Sequence, residues 1–250
     1  MSRIYVVGFG PGKEEYMCRK ARQVLEEADC IVGYTTYVRL IRDYFPEKEY
    51  LETPMRREVD RCRTAVEEAK KGRTIALISS GDAGIYGMAG ILYEVAQEMG
   101  ADVQIEVIPG ITAATMAAAV LGAPLTHDFC VISLSDLLTP RELILKRIHL
   151  AAEGDFVLCI YNPRSRTRTD VFDEALAILR EIKRGDTPVG IVRNAGRDGQ
   201  EAVLTTLAEC SGEQVDMFCT VIVGNSKTYV KEGKMLTPRG YVIREEDRMK

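Results

Sequence analysis

Short apolar runs and longer segments with helical spacing alternate along the chain from its first residues. Residues 4–7 are a β-branched run that stops at Gly8. In residues 14–28 the apolar positions Met17, Ala21, Val24, Leu25 and Ala28 recur at helical spacing, and residues 30–32 start a second strand. Residues 59–70 read as a polar helix stopped by Gly72. Residues 74–79 form a continuous apolar strand, followed by a glycine-rich turn and a helix to about Met99. Strand 103–108, a small-residue helix 112–121 and strand 129–134 follow. The second half repeats the logic with helix 140–152, strand 156–160, helix 170–182, strand 189–192, and strands at 203–207 and 220–223. Continuous apolar strands alternating with helices predict an α/β fold of mainly parallel sheets covered on both faces. Gly122-Ala123-Pro124-Leu125 is the expected joint, giving domains 1–121 and 122–250.

A chain of 250 residues can bury one large core or two of ordinary size. Its apolar share of 46% and charged share of 28% are those of a globular protein, and no apolar run could span a bilayer. The N-terminus lacks the h-region and cleavage site of a secretory signal, so a cytoplasmic location is expected and no membrane association. Seven cysteines include no C-x-x-C pair, and the only histidines are His127 and His149, a pattern that predicts neither a metal site nor a disulfide framework. A net charge of -4 gives no footprint for nucleic acid.

Three segments carry candidate chemistry. In Gly8-Phe9-Gly10-Pro11-Gly12 a strand runs into glycines, which lets backbone approach a ligand closely. A dinucleotide fingerprint would place another glycine where Lys13 stands and keep the N–H that Pro11 lacks. It would also end the next strand on an acid, where the chain has Gly33-Tyr34. The turn is therefore a loop for some other ligand, or a tight connection without one. The second segment, Ser79-Ser80-Gly81-Asp82-Ala83-Gly84-Ile85-Tyr86-Gly87, follows an apolar strand. That is the crevice where open parallel sheets bind ligands. Asp82 reads either as a helix cap or as a site carboxylate. The third is Pro109-Gly110-Ile111-Thr112-Ala113-Ala114, with Thr112 able to cap or to touch a ligand.

Together, in this order and spacing, the three segments resemble the signature of the tetrapyrrole (corrin/porphyrin) methylases, and the similarity covers nearly the whole chain. The blocks Gly33-Tyr34-Thr35-Thr36-Tyr37, Ile132-Ser133-Leu134-Ser135-Asp136-Leu137-Leu138-Thr139-Pro140, Tyr161-Asn162-Pro163-Arg164-Ser165 and Val192-Arg193-Asn194-Ala195 resemble one branch. That branch methylates a corrin precursor, precorrin-3B or cobalt-factor III, at C-17 with ring contraction, in cobalamin biosynthesis. Arg141 departs from it, since an aromatic residue is expected after Thr139-Pro140.

The resemblance implies two α/β domains, a homodimer, S-adenosylmethionine as cofactor with S-adenosylhomocysteine as product, and a tetrapyrrole substrate held in a trough. By position it implies cofactor contacts at Gly8, Pro11, Gly81, Asp82, Ile85, Thr112, Ala113, Tyr161, Asn162, Asn194 and Ala195, and at backbone around Cys219. The sulfonium methyl is already activated, so the attacking carbon needs position more than a protein nucleophile. Ring contraction needs proton management, for which Asp82, His127 and Asp128 are the candidates, His127 reading first as a structural residue and only second as a catalytic one. The substrate's carboxylates call for arginines, with Arg56, Arg57, Arg164 and Arg166 as candidates and Arg168 continuing the last set. Each also reads as a solvated loop charge. Two alternatives stay open. One is another methyltransferase of the superfamily, acting on ribosomal RNA or a modified protein histidine; the other is a tetrapyrrole-binding protein without turnover.

Overall fold

The computed structural model describes residues 2–165 and 167–242. The chain forms two compact units, Met1–Ala113 and Ala114–Lys250.

In the first unit the strands are β1 (Arg3–Gly8), β2 (Cys30–Tyr34), β3 (Glu49–Thr53), β4 (Thr74–Ser79) and β5 (Gln104–Ile108). All pair in parallel, in the order β3-β2-β4-β1-β5. The helices α1 (Arg19–Glu27), α2 (Thr35–Ile41), α3 (Glu58–Lys70) and α4 (Ala89–Glu98) lie between them in sequence. Side chains alternate across the sheet as the pleat requires. Ile4, Val6, Ile75 and Leu77 join a core with Cys62 and Val66 of α3 and Leu92 of α4. Tyr5, Val7, Ala76 and Ile78 join a second core with Val24 and Leu25 of α1 and Val38 of α2. Each such buried aliphatic side chain contributes about 1.5–3 kcal/mol, which holds both helical layers on the sheet.

Two helices start later than their apolar spacing suggests. Residues 14–16 form a single 3-10 turn, and α1 begins after Cys18, whose Sγ accepts from the Ala21 N–H at 3.3 Å. Residues 80–88 stay irregular because Gly81 and Tyr86 both take positive φ, so α4 begins only at Ala89. Helix α2 and strand β3 carry too little apolar periodicity to be read from the sequence.

The second unit contains most of α5 (Ala113–Leu121), then β6 (Gly122–Ala123), β7 (Phe129–Ser133), α6 (Arg141–Glu153), β8 (Val157–Tyr161) and α7 (Val171–Ile182). These are followed by β9 (Pro188–Arg193), β10 (Glu201–Thr206), β11 (Cys219–Val223), β12 (Tyr229–Lys231) and β13 (Lys234–Leu236). The main sheet has the order β10-β9-β11-β8-β7, and a small one the order β12-β13-β6.

The α/β character holds in both units, but the expectation of parallel sheets holds only in the first. In the main sheet of the second, β10–β9, β9–β11 and β11–β8 are antiparallel and only β7–β8 is parallel. Its strands still read as continuous apolar runs because both faces are covered. Leu158, Ile160, Val221 and Val223 face α6 and α7, while Val157, Cys159 and Ile222 face α5 and Met235 of β13. Full burial thus mimicked the signature of a parallel sheet.

The units divide at 113/114, ahead of the joint expected at 121/122. The cause is α5, whose Ala114, Ala117, Ala118 and Leu121 pack on the second sheet. Leu121 lies so close over β9 that a Cβ on Gly190 would stand 2.3 Å from its Cδ1.

Candidate active site

The three glycine segments leave the carboxyl ends of β1, β4 and β5, neighbours in the first sheet. The register sets Gly8 beside Ser79 and Val7 beside Ile108, so the segments emerge at one edge. Beyond the strands they are tied backbone to backbone. The Phe9 N–H donates to the Ser79 carbonyl at 3.1 Å, Gly10 N–H to Gly81 at 3.0 Å and Gly81 N–H to Gly10 at 2.8 Å. A Cβ on Gly8 would stand 2.8 Å from backbone atoms of Gly81, Ala83 and Gly110, and one on Gly110 would stand 2.1 Å from the Gly81 carbonyl oxygen. Gly10, Gly12 and Gly81 also take φ of 70°, 128° and 72°, where side chains other than hydrogen are strained. Glycine is required here by close approach of three chains.

Asp82 fastens this junction. Its Oδ1 accepts from the N–H groups of Gly84 (2.8 Å) and Ile85 (3.1 Å), and its Oδ2 accepts from that of Gly110 (2.9 Å). A carboxylate so engaged holds the second and third loops together. Pro11 and Thr112 are buried and Ala113 half-buried, while Ile85 and Tyr86 project as exposed apolar groups from the loop. The backbone of Thr112 and Ala113 passes 3.8–3.9 Å from where a Gly81 Cβ would stand. The structure therefore brings Gly8, Gly81, Asp82, Ile85, Thr112 and Ala113 to one edge, with Pro11 in the first of its loops.

Arg56 and Arg57 follow β3, whose carboxyl end is at this same edge. Arg56 has φ 64° and an exposed side chain with no hydrogen-bond or ion-pair partner among the described residues. Arg57 pairs with Asp60. The unforeseen cation is Arg61, only 3% exposed, whose Nε donates to Thr53 Oγ1 at 2.8 Å and Nη2 to the Pro54 carbonyl at 3.2 Å. The sequence carried a signal for it: Arg61 stands four and eight residues before Ala65 and Ala69, on the buried stripe of α3.

In the second unit, β7, β8 and β9 end, and β11 begins, at one edge of the main sheet. Tyr161 and Asn162 close β8, Asn194 and Ala195 follow β9, and Cys219 pairs with Arg193. The structure thus gathers these five predicted cofactor contacts. Backbone ties join these loops, from the Leu134 N–H to the Tyr161 carbonyl at 2.9 Å and from the Asn194 N–H to the Phe218 carbonyl at 3.1 Å, and side chains add to them. The Tyr161 hydroxyl accepts from the Ala114 N–H at 2.6 Å, and Asn162 Nδ2 donates to Ser133 Oγ at 3.0 Å. Asn162 and Asn194 both take φ 51°, which asparagine tolerates better than most residues. Burial pushes the Cys219 thiol up to about 11, so it stays protonated at neutral pH and donates to Asp216 Oδ1 at 3.2 Å. Exposed Leu137, Leu138, Met217 and Phe218 rim the edge.

The arginines predicted for this unit are mostly occupied. Arg164 donates to the Gly212 carbonyl. Arg168 donates to the Asn162 carbonyl at 2.8 Å and faces Asp136 at 3.6 Å, holding two loops of the edge together. Arg166 lies outside the described residues. Arg141, the residue that departs from the branch pattern, pairs with Asp170 (2.8 Å) and Glu174 (2.6 Å) and so ties α6 to α7.

His127 and Asp128 are not brought to these groups. They precede β7, at the opposite edge of the sheet from Ser133 and Tyr161. The intervening five-residue strand is about 15 Å long. His127 Nδ1 accepts from the Asp128 N–H at 2.8 Å, and both side chains are exposed. A cavity of about 680 Å³ lined by Lys183, Asn225, Ser226 and Tyr229 also lies at that opposite edge.

Among the described residues no helix is long and apolar enough to cross a membrane. The family model for the tetrapyrrole (corrin/porphyrin) methylases matches residues 3–211. The chain is 51% identical over 238 residues to the "Probable cobalt-factor III C(17)-methyltransferase" of Salmonella typhimurium, covering 95% of this chain and 99% of that protein. It is 35% identical over 246 residues to the precorrin-3B C(17)-methyltransferase of a Sinorhizobium species, covering 95% and 96%. Some other relatives are longer proteins, of which this chain spans about half. Among solved structures, the methyltransferase CobJ superposes with a TM-score of 0.89 at 38% identity, over 95% of this chain and 100% of that one. With a glycine junction at the carboxyl edge of its first sheet and this end-to-end similarity, the chain belongs to the tetrapyrrole (corrin/porphyrin) methylases.

Proposed function

We propose that the protein transfers the methyl group of S-adenosylmethionine to C-17 of a corrin precursor, with contraction of the macrocycle, as a step of cobalamin biosynthesis. What carries the reading is the 51% identity, over nearly all of both chains, to a protein named for this reaction on cobalt-factor III. Identity to the precorrin-3B enzyme is 35%, so the cobalt-containing substrate is favoured. The resemblance further supports a homodimer and a cytoplasmic location.

The first unit's edge suits such a cofactor, because the close approach of the loops at Gly8, Gly81 and Gly110 gathers main chain from three segments at one place, with exposed Ile85 beside it. When bound, the cofactor supplies an electrophilic methyl group. Gly8, Pro11, Gly81, Ile85, Thr112 and Ala113 are proposed to contact it largely through main chain, with Asp82 fixing the loops. In the second unit Tyr161, Asn162, Asn194, Ala195 and backbone at Cys219 take the same role. Arg56 is the substrate-facing cation, since Arg57 and Arg164 already have partners. Within the second unit, exposed Leu137, Leu138 and Phe218 offer apolar surface suited to a flat conjugated ring. His127 and Asp128 are given no part, because they stand at the far edge of the second sheet.

The test is anaerobic incubation with S-adenosylmethionine and either cobalt-factor III or precorrin-3B. The expected result is one added methyl group by mass, with a changed absorption spectrum, on cobalt-factor III in preference. Methyl transfer to RNA with none to either tetrapyrrole, or cofactor binding without any transfer, would overturn it.

A further inference from the structure

We propose that Arg61 is a built-in positive charge that selects the carboxylate-bearing tetrapyrrole, acting by its field on a substrate carboxylate held at the carboxyl ends of β2 and β3. This rests on the tetrapyrrole reading above and assigns a specificity determinant within it.

Arg61 is a cation in a costly place. It is nine-tenths buried, and no carboxylate pairs with it among the described residues. Glu58, in the same helical turn, acts on it only at longer range. It sits in the first turn of α3, where the helix dipole disfavours positive charge. Its other neighbours are neutral: Thr53, the Pro54 carbonyl, Met88 Sδ at 3.6 Å and the Tyr34 ring at 5.8 Å. Burial lowers its pKa, yet a guanidinium remains protonated throughout the working range. A buried charge left without a counter-charge costs several kcal/mol.

Hydrogen bonds to Thr53 and Pro54 alone would need donors and not a full charge. What the charge adds is a standing attraction for an anion at the surface just outside. The cover there is thin, made of half-exposed Tyr34 and exposed Pro54, with the unpartnered Arg56 two residues beyond. Arg56 can touch a carboxylate directly while Arg61 supports it from beneath. The position also separates substrate from cofactor. Arg61 lies under the ends of β3 and β2, whereas the glycine junction spans β4, β1 and β5.

The experiment uses the full chain and its Arg61→Met and Arg61→Lys variants. Uroporphyrin III is titrated by fluorescence as an octacarboxylate probe, S-adenosylhomocysteine by calorimetry, and thermal unfolding is followed without ligand. Arg61→Met is expected to weaken porphyrin binding about tenfold, as removal of a unit charge a few ångströms from an anion near the surface requires. It should also flatten the salt dependence of porphyrin binding and leave S-adenosylhomocysteine affinity within twofold. Arg61→Lys, which keeps the charge, should recover most of the loss. If Arg61→Met cannot be titrated, Arg61→Gln, which retains donors without charge, is expected to behave in the same way. Unchanged porphyrin affinity overturns the proposal. So do equal losses for porphyrin and S-adenosylhomocysteine with no recovery in Arg61→Lys, the outcome for a purely structural clamp. A wild-type chain that binds neither porphyrin nor cobalt-factor III would instead overturn the tetrapyrrole reading itself.

Discussion

The two units build their candidate edges from different materials. In the first, three loops meet backbone to backbone at Gly8, Gly81 and Gly110, and Asp82 spends both its oxygens on main-chain N–H groups of two of them. In the second, side chains supplement the backbone ties between loops: Tyr161 holds Ala114, Asn162 holds Ser133, and Arg168 links Asn162 to Asp136. Sheet direction underlies the difference. Parallel strands send consecutive βα loops to the same edge, where they crowd, and crowding selects glycine. An antiparallel sheet returns only some of its loops to any one edge, leaving gaps that longer polar side chains bridge. Substitutions should therefore be tolerated very differently at the two edges.

The largest effect is expected from Gly110→Ala. Its Cβ would stand 2.1 Å from the Gly81 carbonyl oxygen and 2.5 Å from that of Gly8, both backbone atoms that cannot rotate away. Forcing the loops apart should cost roughly 3 kcal/mol or more, a size reserved for overpacking at fixed sites. Chemical denaturation measures the loss, and S-adenosylhomocysteine titration should show cofactor binding falling with it. A variant as stable as wild type and with full affinity would mean that the junction is not rigid.

Tyr161→Phe probes the other edge and should be milder. The ring remains, and the acceptor for the Ala114 N–H is lost, at the start of α5 where helix N–H groups lack internal partners. An unpaired buried donor costs about 1–3 kcal/mol, and the smaller end is expected if water reaches the gap. Denaturation midpoints give the value, and hydrogen exchange at residues 113–117 should quicken while exchange in β1 and β4 stays unchanged. A loss as large as that of Gly110→Ala would erase the distinction between the edges.

The same contrast explains what could be read without a structure. The parallel sheet was legible because three of its apolar runs stop at glycine-rich turns, and these turns leave the neighbouring strands β4, β1 and β5. The antiparallel pairings were not legible. Buried strands such as Cys219–Val223 look alike whichever way they run, and the short connection from β9 to β10 leaves no helical period to mark a crossover. Loop contacts near Tyr161 and Asn194 could be placed by their motif, but His127 and Asp128 could not. Closeness in sequence to β7 says nothing about which end of it a residue occupies. Arg61 was hidden for the opposite reason. Its helix reads as polar overall, and only its place on the stripe with Ala65 and Ala69 shows that the charge points inward.

The smallest effect sharpens the comparison from within the first unit. Gly90 is only nine residues beyond Gly81, yet it lies in α4, is exposed, and has nothing within 4 Å of where a Cβ would stand. Its φ is not positive, so alanine fits its backbone without strain. Gly90→Ala should therefore stabilise the protein, by a few tenths to about 1 kcal/mol, through higher helix propensity and a less flexible unfolded chain. S-adenosylhomocysteine affinity should not change. Set beside Gly110→Ala, the same added methyl group then moves stability in opposite directions within one unit. If Gly90→Ala instead destabilised the protein by as much as Gly110→Ala, glycine content in general would be responsible, and the meeting of three loops at one point would lose its special standing.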